Sequence, residues 1–148
     1  SFLESITDSE SHSQESIDQE ETGRVRTSSF GEAGENLVAY LFHMWNYNIC
    51  KPMRGDSAYD LVVERDDVFK KIQVKHTANN SLRIQRNIKG KQQYQEGNFD
   101  YVCAVSFPNV YVIPWNKLQD RTWVIFNKYP EYCYDLNDPT IYNYRPTI

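Results

Sequence analysis

The sequence predicts an α/β (α+β) fold in which helices flank a central mixed β-sheet. Three observations support this prediction. Apolar residues at 37–45 recur with helical spacing, two strand-like runs at 59–76 are separated by a short polar turn, and further strand-like runs follow to residue 114. A helix, then a hairpin, then more strands is the order expected when helices cover a sheet. The 148 residues suit one such domain.

The first 28 residues are predicted to form an acidic disordered tail ahead of a domain at 29–148. Residues 1–23 hold seven Asp or Glu and no Lys or Arg. A segment with so few large apolar groups buries too little surface to offset its ordering entropy. Residues 24–148 carry sixteen basic against thirteen acidic side chains. This mildly basic body is compatible with a nucleic-acid partner but does not require one.

The first element of the domain is a helix predicted to begin near Ser29 and to end at 46–48. Ser28 or Ser29 can cap it, and Glu32 and Glu35 stand in its early turns, where carboxylates favour the helix dipole. That placement is one interpretation of both glutamates; a functional carboxylate is the other interpretation of Glu35. The apolar stripe of the helix consists of Leu37, Val38, Leu41, Phe42 and Trp45.

The remaining elements are predicted strands. A loop with Pro and Gly at 50–58 leads into the strand YDLVVE at 59–64, the turn RDD, and the strand VFKKIQVKH at 68–76, which together predict a hairpin. LRIQRNI, FDYVCAVSF and VYVIP are further predicted strands, and RTWVIFN is a short strand or a helix end. After Tyr129 the Tyr-rich chain is predicted to cover the sheet edge as irregular structure.

Composition excludes some classes of protein. No apolar run approaches the roughly 20 residues that span a bilayer, and no basic start precedes an apolar core as in a secretory signal. Cys50, Cys103 and Cys133 are odd in number and form no CxxC pair. They predict free thiols and an intracellular location, in a host or a phage-infected cell.

The second hairpin strand carries the residues of most chemical interest. Because strand side chains alternate, Gln73 and Lys75 point to one face while Ile72 and Val74 point to the other. Asp60 begins the first hairpin strand, about 4.8 Å away. If the register permits, Asp60, Gln73 and Lys75 converge.

Such a set suits metal-dependent hydrolysis of phosphodiesters. Mg²⁺ is usually held by one or two carboxylates together with waters and substrate oxygens, and Mn²⁺ is expected to substitute. Asp60 is the predicted central ligand, the Gln73 amide and the Val74 backbone carbonyl are neutral ligands, and Glu35 is a further carboxylate. Lys75 can orient or deprotonate the attacking water, or stabilise developing charge.

Gly34-Glu35, Tyr59-Asp60 and the run QVK at 73–75 together resemble the PD-(D/E)XK nuclease superfamily, above all its group I intron homing endonucleases. The stretches GEAGENLVAYLFHMWNYNICKP and FDYVCAVSFPNVYVIP fit the same branch, so the resemblance covers residues 31–114. It implies a restriction-endonuclease-like core, magnesium-dependent hydrolysis of duplex DNA, and an active site of Glu35, Asp60, Gln73 and Lys75.

Two positions depart from the motif. Tyr59 replaces its proline, which matters little because only the aspartate binds metal. Gln73 replaces the acid of (D/E)xK, which removes one negative charge from the metal site. Glutamine also occurs at this position in the homing branch.

A stretch rich in basic and amide side chains follows the hairpin. A β-ribbon in the major groove would present such side chains to phosphates and base edges, and a solvated hairpin is the alternative. His76 is interpreted as a solvated residue at a strand end. The predicted DNA contacts are Arg83, Gln85, Arg86, Lys89 and Lys91, with Arg54 from the loop before the hairpin.

The leading hypothesis is a site-specific, magnesium-dependent endonuclease of double-stranded DNA associated with intron homing. A restriction-type or Holliday-junction-resolving nuclease is one alternative. A nuclease-like domain that binds nucleic acid or protein without cutting is another, and Gln73 keeps it open. Because one site cuts one strand, a homo-oligomer, dimer or tetramer, is predicted. The aromatic region from Trp115 onward is the nominated interface.

Overall fold

The structure is a computed structural model that describes residues 18–83, 98–119, 121–143, 146 and 148, with side chains from residue 29 onward. The chain divides into two compact units, Ser1–Glu32 and Ala33–Ile148. Of the predicted tail, residues 1–17 lie outside the described residues, and its separateness from the domain stays a prediction.

One α-helix and eight strands are present in the described residues. The helix α1 spans Asp18–Met44. Short 3-10 helices occupy Trp115–Lys117, Phe126–Lys128, Pro130–Tyr132 and Pro139–Tyr142. The strands are β1 (Asn48–Cys50), β2 (Leu61–Arg65), β3 (Val68–His76), β4 (Ser81–Arg83), β5 (Tyr101–Ser106), β6 (Asn109–Pro114), β7 (Trp123–Ile125) and β8 (Cys133–Asp135).

Six strands form a mixed sheet in the order β1-β2-β3-β5-β6-β8. β3 and β5 are parallel, and every other neighbouring pair in this sheet is antiparallel. β4 and β7 form a separate antiparallel pair. The predicted mixed sheet is therefore confirmed. The parallel pair β3 and β5 lies in the middle of the sheet, where both faces are covered.

Residues 33–44 of helix α1 cover one face of the sheet. Val38, Leu41, Phe42 and Trp45 are fully buried, as the helical spacing predicted, and they pack with Ile72 and other inward residues of β2, β3, β5 and β6. The helix begins at Asp18 rather than near Ser29, and no proline interrupts 18–44. At its other end Asn46 adopts a left-handed conformation with φ 69°, which is a common way to terminate a helix.

The second face of the sheet is covered by the β4–β7 pair and by 3-10 turns. A second apolar cluster joins inward residues of β5 and β6 to the residues that follow β6. Leu118, Val124 and Phe126 are its buried members from that later segment. RTWVIFN thus contains a strand. The first two residues of LRIQRNI, Leu82 and Arg83, lie in β4, and its other residues fall in the range 84–97, which lies outside the described residues.

The hairpin of β2 and β3 matches its prediction, and the bounds of β3 are those predicted. A turn of only two residues, Asp66 and Asp67, joins the strands, with φ values of 55° and 64°. Positive φ at both positions is the type I′ geometry, whose twist suits a hairpin. Glu64 closes this end, because its Oε2 accepts from Asp67 N at 3.0 Å and its Oε1 accepts from Asn48 Nδ2 at 2.7 Å.

The carboxy-terminal residues are integrated into the core. Trp45 Nε1 donates to Ile141 O at 2.9 Å, and Tyr47 Oη donates to Pro146 O at 2.9 Å. Several late tyrosines pack against the two apolar clusters. The region lies at the sheet edge as predicted, but it pairs there as the strand β8, so the prediction of irregular structure is wrong for residues 133–135. Trp115 is buried in the second cluster, which removes it from any subunit interface. The edge strands β1 and β8, of three residues each, were not predicted.

The cysteines are free thiols, as predicted. Cys50 is exposed and Cys103 is buried. Burial raises the pKa of the Cys103 thiol far above its usual range, so this group is chemically inert in the folded protein. In the part of the chain that the structure describes, no helix combines the length and apolar character needed to cross a membrane.

Candidate active site

The open end of the β2–β3 hairpin places Asp60 against β3. Its backbone N donates to Ile72 O at 2.8 Å, and its Oδ2 accepts from Val74 N at 2.8 Å. The carboxylate therefore takes the place that a backbone carbonyl would occupy if β2 continued. Among the residues that the structure describes, no other group binds this carboxylate, so Oδ1 can accept a further partner.

The Val74 carbonyl lies on the same edge of β3 as Asp60. The N–H and C=O of a strand residue leave the strand on the same side, which is why paired residues exchange both hydrogen bonds. Since Val74 N points at Asp60, Val74 O is directed to that edge as well. A carboxylate oxygen and a neutral carbonyl oxygen thus stand side by side at the end of β2.

Gln73 and Lys75 are half-buried and share a sheet face. Gln73 is aligned with Val102 of β5, and Lys75 is aligned with Ala104, and both partners belong to the second apolar cluster. The two side chains therefore lie on the face opposite α1. The structure brings Asp60 to this strand segment through hydrogen bonds that bracket Gln73.

Helix α1 approaches the same end of β3 at Gly34, the residue before Glu35. A Cβ built on Gly34 would lie 2.7 Å from His76 Cβ and 3.1 Å from its Cγ, so only glycine permits this approach of α1. Glu35, the next residue along α1, is half-buried, whereas Glu32 is exposed. Because α1 begins at Asp18, neither glutamate lies in its first turn, and the helix-dipole interpretation is wrong for both.

His76 is not the solvated residue that the sequence predicted. It shares the parity of the buried Ile72 and Val74, and it is half-buried beside Gly34. The prediction was wrong because a glycine on another element makes room for the imidazole. A glycine inside a helical pattern was the one signal in the sequence, since such a glycine often marks close packing.

The donor set suits a hard divalent cation. Asp60 Oδ1, the Val74 carbonyl and the Gln73 amide are oxygen donors, which Mg²⁺ prefers. Within the described ranges, however, no three His, Cys, Asp or Glu side chains gather closely enough to hold a metal by themselves. The protein would therefore supply few charged ligands, and water and phosphate oxygens would complete the shell, as is usual for Mg²⁺.

The predicted DNA contacts are scattered. Arg83 is exposed on β4. Arg54 is exposed in the loop before β2 and forms a two-bond ion pair with Asp56, at 3.1 Å for each bond. Such an exposed pair contributes about 0–1 kcal/mol, so a phosphate can displace it. The remaining predicted contacts, which lie outside the described residues, are Gln85, Arg86, Lys89 and Lys91.

A connector at 77–80 joins β3 to β4. Asn79 N donates to Thr77 Oγ1 at 3.1 Å, and Ser81 Oγ donates to Asn79 Oδ1 at 3.1 Å. Phe126 N donates to Asn80 O at 2.8 Å. These bonds tie β4, which begins six residues beyond Lys75, to the end of β3.

Comparison with known proteins gives a consistent result. The profile of the family described as PD-(D/E)XK endonuclease matches residues 25–126, which is more than half of the chain. Protein 5.3 of Escherichia phage T7 is 31% identical over 104 residues, covering 66% of this chain and 88% of that protein. The solved structure of the bacterial homing endonuclease I-Ssp6803I is similar in fold, with a TM-score of 0.54 and 20% identity over 66% of this chain and 76% of its own. The chain belongs to the PD-(D/E)XK endonuclease family.

Proposed function

We propose that this protein is a site-specific, Mg²⁺-dependent endonuclease that hydrolyses phosphodiester bonds of duplex DNA, and that it is of the intron-homing type. One observation carries the proposal: the Asp60 carboxylate is fixed 2.8 Å from Val74 N, on the strand that bears Gln73 and Lys75. Membership of the endonuclease family supports a nuclease, and a homing endonuclease shares the fold.

Three oxygen donors at the open end of the hairpin would bind the metal ion. Asp60 Oδ1, the Val74 carbonyl and the Gln73 amide oxygen would hold the ion. A bound divalent cation supplies Lewis-acid stabilisation of the phosphoryl oxygens. Because Oδ2 of Asp60 is already bonded to Val74 N, the carboxylate keeps its orientation without rearranging when DNA arrives.

Lys75 and Glu35 would act on the attacking water and on the developing charge. The Lys75 ammonium can donate to the water or to a non-bridging phosphate oxygen, where negative charge accumulates during hydrolysis. The Glu35 carboxylate can accept a proton or a hydrogen bond from the same water. The approach of Gly34, the residue before Glu35, to His76, the residue after Lys75, supports a shared role for the two side chains.

The test is cleavage of supercoiled plasmid with Mg²⁺, with Mn²⁺, and with EDTA. We expect cutting with either cation and none with EDTA. Asp60→Asn is the decisive variant. Its amide oxygen still accepts from Val74 N, which preserves the fold, while an NH₂ group replaces the second oxygen. We expect at least a ~100-fold loss of rate. A folded Asp60→Asn protein that cuts normally would remove the proposal.

A second candidate function is supported by the sparse charge of the site. Because no three acidic, His or Cys side chains cluster among the described residues, the chain would fit a domain that binds nucleic acid without cutting it. Binding of duplex DNA with no cleavage under any divalent cation would favour this candidate.

The type of nuclease is tested separately. Incubation with a randomised duplex library, followed by sequencing of the ends, separates homing-type from restriction-type cutting. Branched junction substrates test for a resolvase.

We propose further that the active form is a dimer or a tetramer. One site of this kind hydrolyses one strand, and two-fold symmetry supplies a second site with the opposite polarity. Light scattering with and without DNA measures the assembly. Product analysis adds a second criterion: linear DNA formed without accumulated nicked circles indicates paired sites, whereas nicked circles that never become linear indicate single ones.

A further inference from the structure

The β4–β7 pair presents an outer face to solvent. Leu82 and Val124 are aligned across the two strands and point toward the second apolar cluster. On the other side, Arg83 is aligned with Trp123, and Ser81 with Ile125. We call Ser81, Arg83, Trp123 and Ile125 the ribbon face.

The ribbon face exposes two large apolar side chains to solvent. Trp123 is 59% exposed and Ile125 is 42% exposed, while the other two tryptophans, Trp45 and Trp115, are buried. Adjacent large apolar side chains in water, rimmed by polar residues, mark interaction sites in soluble proteins. The ribbon face therefore has the character of a docking surface.

Charge around the ribbon face indicates the partner. In the segments 77–83 and 115–128, the four basic side chains Arg83, Lys117, Arg121 and Lys128 are all exposed. These segments contain one acidic residue, Asp120. Their net charge of +3 equals the whole net charge of residues 24–148, where sixteen basic residues face thirteen acidic ones. A polyanion complements such a surface.

The ribbon covers the sheet face that carries the candidate catalytic residues. The cluster beneath it includes Val102 and Ala104, which are aligned with Gln73 and Lys75. Arg83 stands eight positions after Lys75, and a fully extended chain of that length spans at most about 28 Å. One turn of B-DNA is about 34 Å. Lys75 and the ribbon face can thus contact one duplex within a single turn.

We propose that the ribbon face docks duplex DNA beside the phosphate that is cut. A two-stranded ribbon fits the major groove. There Trp123 and Ile125 pack on thymine methyl and sugar surfaces, and Arg83 contacts a phosphate or a base edge. A second copy of the chain is the poorer occupant, because a two-fold contact would oppose the ribbon's cations to their own copies. This inference rests on the proposed function for its substrate.

The first test measures duplex affinity by fluorescence anisotropy, using the full chain at two salt concentrations. Arg83→Ala and Trp123→Ala should each weaken binding about three- to tenfold, and Arg83→Ala should lower the salt slope by about one. Lys70→Ala and Met44→Ala are matched controls for lost charge and lost exposed apolar surface. Lys70 has the parity of Ile72, and Met44 is 45% exposed on α1, so both belong to the other side of the sheet. We expect unchanged affinity in both.

The second test uses the tryptophan distribution. Acrylamide should quench mainly Trp123, since Trp45 and Trp115 are 0% and 5% exposed. Saturating duplex DNA should protect that signal, and Trp123→Phe should abolish the protected component. Because quenching does not require cleavage, it reports docking even if the protein never cuts.

The outcomes separate the two proposals. Protection of Trp123 by DNA in a protein that does not cleave supports the docking surface and contradicts the nuclease. Cleavage by the wild type, with Arg83→Ala and Trp123→Ala binding DNA as well as the controls do, overturns the docking surface alone. A change of molecular mass in Trp123→Ala, with DNA affinity unaltered, overturns it in favour of a second copy.

Discussion

Each end of the β2–β3 hairpin carries a carboxylate, and the two carboxylates differ in how many of their oxygens are hydrogen-bonded within the protein. At the turn end, both oxygens of Glu64 are engaged, one by Asn48 and one by Asp67 N. At the open end, one oxygen of Asp60 is bonded to Val74 N and the other can accept a further partner. A carboxylate whose two oxygens are both bonded within the protein stabilises local structure, whereas a carboxylate held by one oxygen is oriented and can still bind a ligand.

The comparison also separates position from residue type. Asp and Glu are common around hairpins, so neither side chain is informative by itself. Asp60 differs because β3 continues past the end of β2, which leaves the Val74 N–H to be satisfied by a side chain. The open end is a candidate site because β3 extends past β2 there, and not because of the carboxylate alone.

The largest expected effect contrasts two lysines of β3. Lys75→Ala should lower the cleavage rate by roughly 100-fold or more, since a cation beside developing negative charge is lost. Lys70→Ala, toward the turn end, should cut at the wild-type rate. Plasmid nicking measured under single-turnover conditions gives both rates. Equal losses in the two variants would show that the lysines act through general DNA binding, and the distinction between the hairpin ends would fail.

Gly34 tests whether the helix holds the open end in place. Gly34→Ala should destabilise the protein by about 1–3 kcal/mol, because the new Cβ would lie 2.7 Å from His76 Cβ. Adding His76→Ala to Gly34→Ala should not relieve this clash, since alanine keeps the Cβ at position 76. Gly31→Ala is the control in the same helix: nothing lies within 4 Å of its Cβ, so a gain of about 0.5–1 kcal/mol is expected. Urea unfolding measures the free energy of unfolding of each variant. An unchanged value for Gly34→Ala would contradict the close contact with His76.

Gln73→Glu adds a negative charge to the open end of the hairpin. The added carboxylate restores a ligand charge, so half-maximal cleavage should require several-fold less Mg²⁺. Glu64→Gln at the turn end should leave the Mg²⁺ requirement unchanged. Titration of cleavage against Mg²⁺ reads out both. If Gln73→Glu unfolds instead, as circular dichroism would show, Gln73 is a structural amide and not a ligand.

The smallest effect concerns acid stability at the turn end. The hydrogen bond from Asn48, followed by that from Asp67 N, lowers the pKa of Glu64 below its usual value of 4.5. A lowered folded-state pKa contributes stability that is present above 4.5 and is lost as pH falls through the folded-state value. Wild type should exceed Glu64→Gln in unfolding free energy by a small margin at pH 7, and the margin should shrink at pH 3. A margin independent of pH would contradict this assignment.

Much of the local structure follows from patterns within short stretches of the sequence. The apolar stripe of α1, the bounds of β3, and the paired runs around Asp66 and Asp67 depend on spacing and turn chemistry over a few residues. The motif carried by Glu35, Asp60, Gln73 and Lys75 also stands in the sequence, and it led to the family that the comparisons confirm. Alternation alone predicted that Gln73 and Lys75 share a face.

The contacts that those residues make depend instead on the tertiary fold. The strands β1, β7 and β8 are three residues long, and so short a run acquires its pairing from distant partners rather than from its own propensity. The Asp60 bond to Val74 depends on where β2 stops, and the His76 position depends on a glycine of α1 more than forty residues earlier. These contacts join residues far apart in the chain, and spacing along the sequence does not encode which distant backbone groups will meet.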